Sequence, residues 1–175
     1  MNERYSHTSW EAKLVIREKY DTTAPSYDIL YRDEQYVKYS NIPRHAMPKE
    51  NDIILDMGCG TGLFLEYLFL GGFKFKYYVG LDISINMLRI FKGKIDPMNV
   101  NIDLICADAE YPPFRNCSFN KVYLITVADL LVDKSNTLKE VKDILKDKGL
   151  IIYSILKGES RHLRECKDII YINGK

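Results

Sequence analysis

Apolar residues along this chain follow two rhythms that take turns. Ile53–Leu55, Tyr77–Leu81, Val122–Ile125 and Leu150–Leu156 are short, almost wholly apolar runs of strand length. One more run alternates: Val100, Ile102, Leu104 and Cys106 point one way, Asn101 and Asp103 the other, as in a half-buried strand. Between these runs the period lengthens to three or four. Leu88, Phe91 and Ile95 give one apolar face to a helix that Ser84 can cap and Pro97 stops. Leu138, Val141, Ile144 and Leu145 mark another helix, from about 134 to 147. Lys146 and Lys148 lie near its C-terminal end, where the dipole favours cations, and Gly149 is its stop. Residues 63–70 are apolar nearly all round, which predicts a buried helix. Upstream, 9–20 reads as a helix with Ser9 at its cap and Trp10 and Leu14 one turn apart. Pro25 interrupts, and a second helix covers about 26–40. Pro-containing stretches at 42–51 and 111–118 read as loops. After the fifth strand, 158–165 predicts a short polar helix and 169–172 a last strand.

Alternation of strand and helix through the middle of the chain implies crossovers and a mainly parallel sheet. The expected class is therefore α/β: a Rossmann-like, doubly wound sheet with helices on both faces. The expected organisation is a helical N-terminal cap, residues 1–45, followed by a ligand-binding domain, residues 46–175. In such sheets ligands lie beyond the carboxyl ends of the strands. There the first strand runs into Asp56 and then a loop with Gly58, Gly60 and Gly62 at every second position. Glycines tolerate unusual backbone angles and let a ligand come close.

Composition narrows the classes. Apolar residues make up 46% of 175, enough for a core and too many for disorder. The 25 basic residues against 24 acidic ones leave a charge of +1, which gives no global attraction to nucleic acid or membranes. No run approaches the roughly 18 to 20 consecutive apolar residues that span a bilayer. Residues 1–10 lack the apolar core of a signal peptide, so a cytoplasmic location is expected. Cys59, Cys106, Cys117 and Cys166 form no CxxC pair, and they are expected as reduced thiols with no metal site. A dinucleotide loop would need glycine where Leu63 stands, and a phosphate loop would need a lysine that is missing. Asp56 at the loop mouth would repel a pyrophosphate and suits a cationic ligand.

At this point the chain resembles the class I S-adenosylmethionine-dependent methyltransferases. Leu-Asp-Met-Gly-Cys-Gly-Thr-Gly at 55–62 resembles motif I, and Gly-Leu-Asp-Ile-Ser at 80–84 resembles the post-I motif. Cys-Ala-Asp-Ala-Glu at 106–110, followed by Pro113-Phe114, resembles motif II, and Lys-Asp-Lys-Gly-Leu-Ile-Ile at 146–152 the turn into the fifth strand. The resemblance implies S-adenosylmethionine as cofactor and S-adenosylhomocysteine as product. It implies that Asp56 and the loop Gly58, Cys59, Gly60 and Gly62 hold the methionine part, and that Asp82 accepts from both ribose hydroxyls. Ile83 and Met87 would pack on the adenine, Asp108 would accept from its amino group, and the Ala109 backbone would donate to the ring. Family members usually end in an antiparallel strand pair, with order 3-2-1-4-5-7-6. About 18 residues follow the fifth strand here, room for one strand, so a shortened C-terminal strand pair and a six-stranded sheet are expected.

The acceptor side carries fewer signals. The end of the fourth strand, Ile125-Thr126-Val127-Ala128-Asp129, lacks the Asn/Asp-Pro-Pro-Tyr motif of amino-methyltransferases. Thr126 and Asp129 are the catalytic candidates, and Asp129 reads equally as a helix or turn cap. Cys59 reads also as a small space-filler. Tyr20, Tyr27, Tyr31, Tyr36 and Tyr39 read either as packing onto the sheet or as a lid, with Tyr20 and Tyr27 the substrate candidates. His7, His45 and His162 read as surface residues. Lys157, Arg161, Arg164 and Lys167 cluster in the tail, as a solvated face or a phosphate-backbone contact. Motifs I and post-I are similar to those of the small-subunit rRNA guanine-N7 methyltransferase, which leans the acceptor towards RNA, with a protein or a small molecule as alternatives. That resemblance also implies a small zinc-ribbon activator protein along the third-strand edge. A non-catalytic cofactor-binding subunit and an NAD-dependent oxidoreductase are the competing classes.

Overall fold

The computed structural model describes residues 7–95, 98–156 and 168–175. In chain order the elements are α1 (His7–Thr23), α2 (Tyr27–Ser40), β1 (Ile53–Met57), α3 (Leu63–Leu70), β2 (Tyr77–Asp82), α4 (Ile85–Ile95), β3 (Ile102–Cys106), β4 (Phe119–Leu124), α5 (Lys134–Ile144), β5 (Leu145–Leu156) and β6 (Asp168–Gly174). The strands form one six-stranded sheet in the order β3-β2-β1-β4-β5-β6. All neighbours run parallel except β6, which pairs antiparallel with β5, Ile152 opposite Ile172. Thus β6 takes the place beside β5 that the family order gives to its antiparallel strand.

Alternate residues of each strand feed two cores, as the pleat requires. Ile54, Tyr78, Tyr123 and Ile152 pack on one face with Tyr39, Phe64, Leu65, Leu68 and Phe91 from α2, α3 and α4. Leu55, Met57, Val79, Leu81, Val122, Leu124 and Ile151 pack on the other with Val141 and Ile144 of α5. The sheet is therefore covered on both faces. Helix α3 keeps the expected bounds because its residues are apolar nearly all round, with Leu63, Phe64, Leu65 and Leu68 buried. The cap expected at Ser84 forms: its hydroxyl accepts from the Met87 N–H at 3.1 Å.

Several boundaries differ from the sequence reading. Helix α1 starts at His7, so Ser9 lies inside it and is not its cap. Strand β1 continues through Asp56 and Met57, which pair with Gly80 and Leu81. Strand β3 starts at Ile102, two residues late. Strand β4 starts at Phe119 and ends at Leu124, which puts Thr126 beyond it. Helix α5 stops at Ile144. Leu145 is fully buried and already pairs with Phe119, so tertiary pairing ends the helix before Gly149. The β4–β5 register then jumps to Lys121 opposite Leu150, and Lys148, at φ 62°, makes the local kink. Asp133 caps α5, its carboxylate accepting from the Asn136 N–H at 2.9 Å. The predicted tail helix, His162, Cys166 and the basic cluster of Lys157, Arg161, Arg164 and Lys167 lie outside the described residues, as does Pro97. Among the described residues no helix is long and apolar enough to cross a membrane.

A buried ion pair joins α2 to β6. Lys38 of α2, only 2% exposed, lies 3.4 Å from Asp168 of β6. Lys38 also pairs with Glu34 at 2.8 Å, so removing its ammonium takes a buried cation away from two carboxylates. Lys38→Met is expected to cost roughly 3 kcal/mol in guanidinium unfolding, with partial recovery when Asp168→Leu is added. A loss no larger than that of a surface substitution would show that the pair contributes little.

Candidate cofactor and acceptor site

An open cleft lies beyond the carboxyl ends of β1 to β4. Three sequence-separated motifs meet on its walls: Gly58 and Gly60, then Asp82, Ile83 and Met87, then Asp108 and Ala109. Thr126, Tyr20 and Tyr27 also line it, so most of the residues singled out from sequence come together.

The glycine loop has left-handed backbone at Gly58 (φ 77°), Gly60 (φ 53°) and Gly62 (φ 83°), conformations that side chains resist. The three positions do different work. A Cβ at Gly58 would strike Val127, 2.1 Å away, and one at Gly62 would strike the Phe91 ring at 2.3 Å. A Cβ at Gly60 would meet no protein atom within 4 Å. Gly60 lines the cleft, so space there is left for a ligand, while Gly62 starts α3 and packs on α4. The Gly58 and Cys59 N–H groups both donate to the Leu81 carbonyl, at 2.7 and 3.0 Å. The Gly60 N–H donates to Asp82 Oδ2 and the Ser84 N–H to Asp82 Oδ1, each at 2.8 Å. Each Asp82 oxygen keeps a further lone pair for a ligand donor. Burial raises the Asp82 pKa, although these backbone donors pull it down.

Four residues expected at the ligand lie elsewhere, the first being Gly62, which packs against Phe91 and does not line the cleft. Asp56 is buried in β1 beneath the loop and accepts a short hydrogen bond from the Tyr78 hydroxyl. Burial, with help from the Asp82 charge and against the Tyr78 hydrogen bond, pushes its pKa up to about 7. Cys59 is buried in the core, where its sulfur would meet a Cβ at Gly80 at 2.9 Å, so it fills space. Asp129 does not line the cleft. Its carboxylate accepts from the Leu156 N–H at 2.6 Å and lies 3.2 Å from Lys134, tying the loop after β4 to the end of β5.

Thr126 does face the cleft, with the left-handed φ of 67° that is rare for a β-branched residue. A buried network holds it there. Its N–H donates to Ser154 Oγ at 2.8 Å, its hydroxyl donates to Gln35 Oε1 at 3.1 Å, and Lys38 donates to that hydroxyl at 3.2 Å. Ser154 donates in turn to Asp168 Oδ2 at 2.6 Å.

The tyrosines divide. Tyr39 packs against Phe64 and Tyr67 in the core, and the Tyr36 hydroxyl donates to Glu66 at 2.7 Å. Tyr20 and Tyr27 line the cleft with rings 6.3 Å apart. Burial raises both phenol pKa values, helped by Asp82 at Tyr20 and by Tyr20 and then Asp82 at Tyr27, so both stay protonated at neutral pH.

Sequence reading missed the polar residues of α1 and α2 that bolt onto the loops, because the contacts span long distances in sequence. Lys13 pairs with Asp108 (2.6 Å) and Glu110 (3.0 Å) after β3. Asp21 accepts from the Ser84 hydroxyl (2.6 Å) and the Asn86 N–H (3.1 Å) after β2. Asp28 accepts from the Thr61 hydroxyl (2.5 Å) in the glycine loop after β1 and also pairs with Lys94 of α4. Gln35 and Lys38 take Thr126 after β4.

Comparison with known proteins agrees with this geometry. A family model described as a methyltransferase domain matches residues 55–153. The chain is 37% identical over 153 residues to an uncharacterized protein of Methanocaldococcus jannaschii, covering 85% of this chain and 55% of that one. It is 27% identical to the malonyl-[acyl-carrier protein] O-methyltransferase of Marinomonas sp., covering 85% and 54%. It is 32% identical to a ubiquinone/menaquinone biosynthesis C-methyltransferase of Geotalea uraniireducens, covering 77% and 60%. The chain spans about half the length of the first of these curated relatives. Among solved structures, a methyltransferase in complex with the Haloferax volcanii Trm112 methyltransferase activator superposes with a TM-score of 0.63 at 21% identity, covering 78% of this chain and 59% of that one.

Two outcomes follow from the loop and its base. Gly62→Ala, with its Cβ against the buried Phe91 ring, is expected to lower stability by roughly 3 kcal/mol in urea unfolding. Asp56 has a folded pKa above its ordinary 3.8. The folded state therefore binds more protons than the unfolded state between about pH 4 and 7, and stability falls as pH rises through that window. Calorimetric melting of the ligand-free chain should show that fall, and Asp56→Asn should flatten it and raise the midpoint at pH 8.

Proposed function

The chain belongs to the class I S-adenosylmethionine-dependent methyltransferases, and from that premise we propose that it transfers the methyl group of S-adenosylmethionine to a small-molecule acceptor by in-line displacement. The observation that carries the reading is the meeting of the glycine loop, Asp82 and Asp108 on one cleft that Tyr20, Tyr27 and Thr126 also line. The residues suit the cofactor. Open space over Gly60 leaves room for the methionine part, and the free lone pairs of Asp82 match two ribose hydroxyls. Ile83 and Met87 offer an apolar face to the adenine, and Asp108 with the Ala109 backbone reaches its edge. Asp56 acts from beneath, as a support for the loop.

When bound, the cofactor supplies an electrophilic methyl group on a sulfonium whose departure leaves neutral S-adenosylhomocysteine. The chain's own contribution is placement and exclusion of water, which can supply most of the barrier reduction. Lys13, Ile16 and Tyr20 of α1 and Tyr27 of α2 roof the cleft. Tyr20 and Tyr27 stay protonated and Asp129 lies outside, so proton abstraction is assigned to none of them. The acceptor is then one already nucleophilic at neutral pH, such as a carboxylate or a stabilised enolate.

Motif similarity leaned towards RNA. The names of the relatives, an acyl-carrier-protein O-methyltransferase and a quinone-pathway C-methyltransferase, favour a small molecule instead. The mostly apolar walls, with Ile16, Leu81, Ile125, Val127, Leu130 and Leu131, support the same choice. A small zinc-ribbon activator along β3 belongs to the same proposal. Strand β3 is one of the two edge strands among the described residues, beside a groove formed by Lys92, Ile95, Ile102, Asp103 and Leu104. The activator complex of the Haloferax volcanii structure supports an assembly of that kind.

Isothermal titration with S-adenosylhomocysteine and a tritiated-methyl assay on separated RNA, protein and metabolite fractions test the reading. Label is expected in the metabolite fraction, and label in RNA alone would overturn the acceptor class. Asp82→Ala should remove measurable binding while the circular dichroism spectrum is kept; unchanged affinity would overturn the site.

A further inference from the structure

We propose that Lys13, on the N-terminal helix, sets the nucleobase specificity of the cleft by holding Asp108 where it accepts from an exocyclic amine. The inference rests on the S-adenosylmethionine reading above. Lys13 is 95 residues away from Asp108 in sequence, yet its ammonium lies 2.6 Å from Asp108 Oδ2 and 3.0 Å from Glu110 Oε2. It also sits 4.9 Å from the centre of the Tyr111 ring. Lys13, Asp108 and Glu110 all line the cleft, with side chains 5%, 17% and 6% exposed. Charges so enclosed persist only in well-made pairs. Burial pulls the ammonium towards its neutral form, but the two carboxylates outweigh that and leave its pKa above the ordinary value, so the cation is retained.

The pairing also fixes direction. Asp108 Oδ1 accepts from the Glu110 N–H at 2.9 Å, and Glu110 Oε1 accepts from the Val132 N–H at 2.5 Å. Lys13 therefore closes a chain of contacts joining α1 to the loops after β3 and β4. An ionised carboxylate accepts hydrogen bonds and donates none. Held at the nucleobase, it favours a ring bearing an amino group over one bearing a carbonyl, whose lone pairs it repels. Without the ammonium, Asp108 and Glu110 face each other as like charges, and Oδ2 loses the contact that anchors it. Asp108 then swings away from the amine, and the preference goes with it. Lys13 is a positioning residue, since it acts through Asp108.

The test compares S-adenosylhomocysteine with S-inosylhomocysteine, which carries a carbonyl in place of the amine, by titration calorimetry. Wild-type chain is expected to prefer the adenosine compound by about tenfold or more, the range of one charge-assisted hydrogen bond. K13M should narrow that preference to about twofold. K13Q, uncharged but still polar, should behave as K13M does and serves in its place if K13M does not fold. A general loss of structure would weaken both compounds equally and leave their ratio unchanged. A wild-type ratio retained in K13M, or in K13Q, overturns the assignment. Wild-type chain that binds neither compound overturns the cofactor reading and this inference with it.

Discussion

The carboxylate of Asp82 is the constraint on which the site depends. It is nearly buried, and its two oxygens take backbone N–H groups from different segments, Gly60 from the loop after β1 and Ser84 from the start of α4. The Leu81 carbonyl takes two more from Gly58 and Cys59. The end of β2 thus dictates the path of the glycine loop, and the left-handed angles at Gly58, Gly60 and Gly62 are the consequence. A loop with its N–H groups already satisfied costs little to desolvate when a ligand covers it.

Around that centre the N-terminal helices act as a bolted roof. Lys13, Asp21, Asp28 and the pair Gln35 and Lys38 reach, in chain order, the loops after β3, β2, β1 and β4. Each bolt joins a side chain from one helix to a group that would otherwise be a buried polar atom at a loop. Between the bolts, Ile16, Tyr20 and Tyr27 present apolar surface to the cleft. Polar fastening and apolar lining are thus divided along the same two helices. The strained Thr126 illustrates the cost: Ser154, Gln35 and Lys38 together hold a β-branched residue at φ 67° facing the cleft.

A methyl donor that leaves as a neutral thioether asks for alignment more than for acid or base groups. The structure fits that demand, since the charged groups of the cleft, Lys13, Asp82, Asp108 and Glu110, are engaged with one another or with backbone N–H groups, and most of the remaining lining is protonated phenol and aliphatic side chain. Asp129, the acid a mechanistic reading would choose, is spent on the Leu156 N–H at the end of β5.

Much of the fold was legible because it is written locally. The apolar helix at Leu63–Leu70, the strand at Tyr77–Asp82 and the cap at Ser84 depend on residues within a few positions of each other, whereas the glycines at 58, 60 and 62 were legible as a pattern although their cause, contact with Leu81, Asp82, Phe91 and Val127, is distant in sequence. Periodicity and steric limits on the backbone report such features directly, and the alternation of elements determined a parallel sheet with its ligand edge. The tertiary structure alone decided where α5 ends, because Leu145 leaves the helix to pair with Phe119. It alone separated Tyr20 and Tyr27 from Tyr36 and Tyr39, sent Asp56 and Asp129 away from the cleft, and brought Lys13 to Asp108. Two charges 95 residues apart share no period and no local steric rule; only the packing of α1 across the strand ends makes them neighbours.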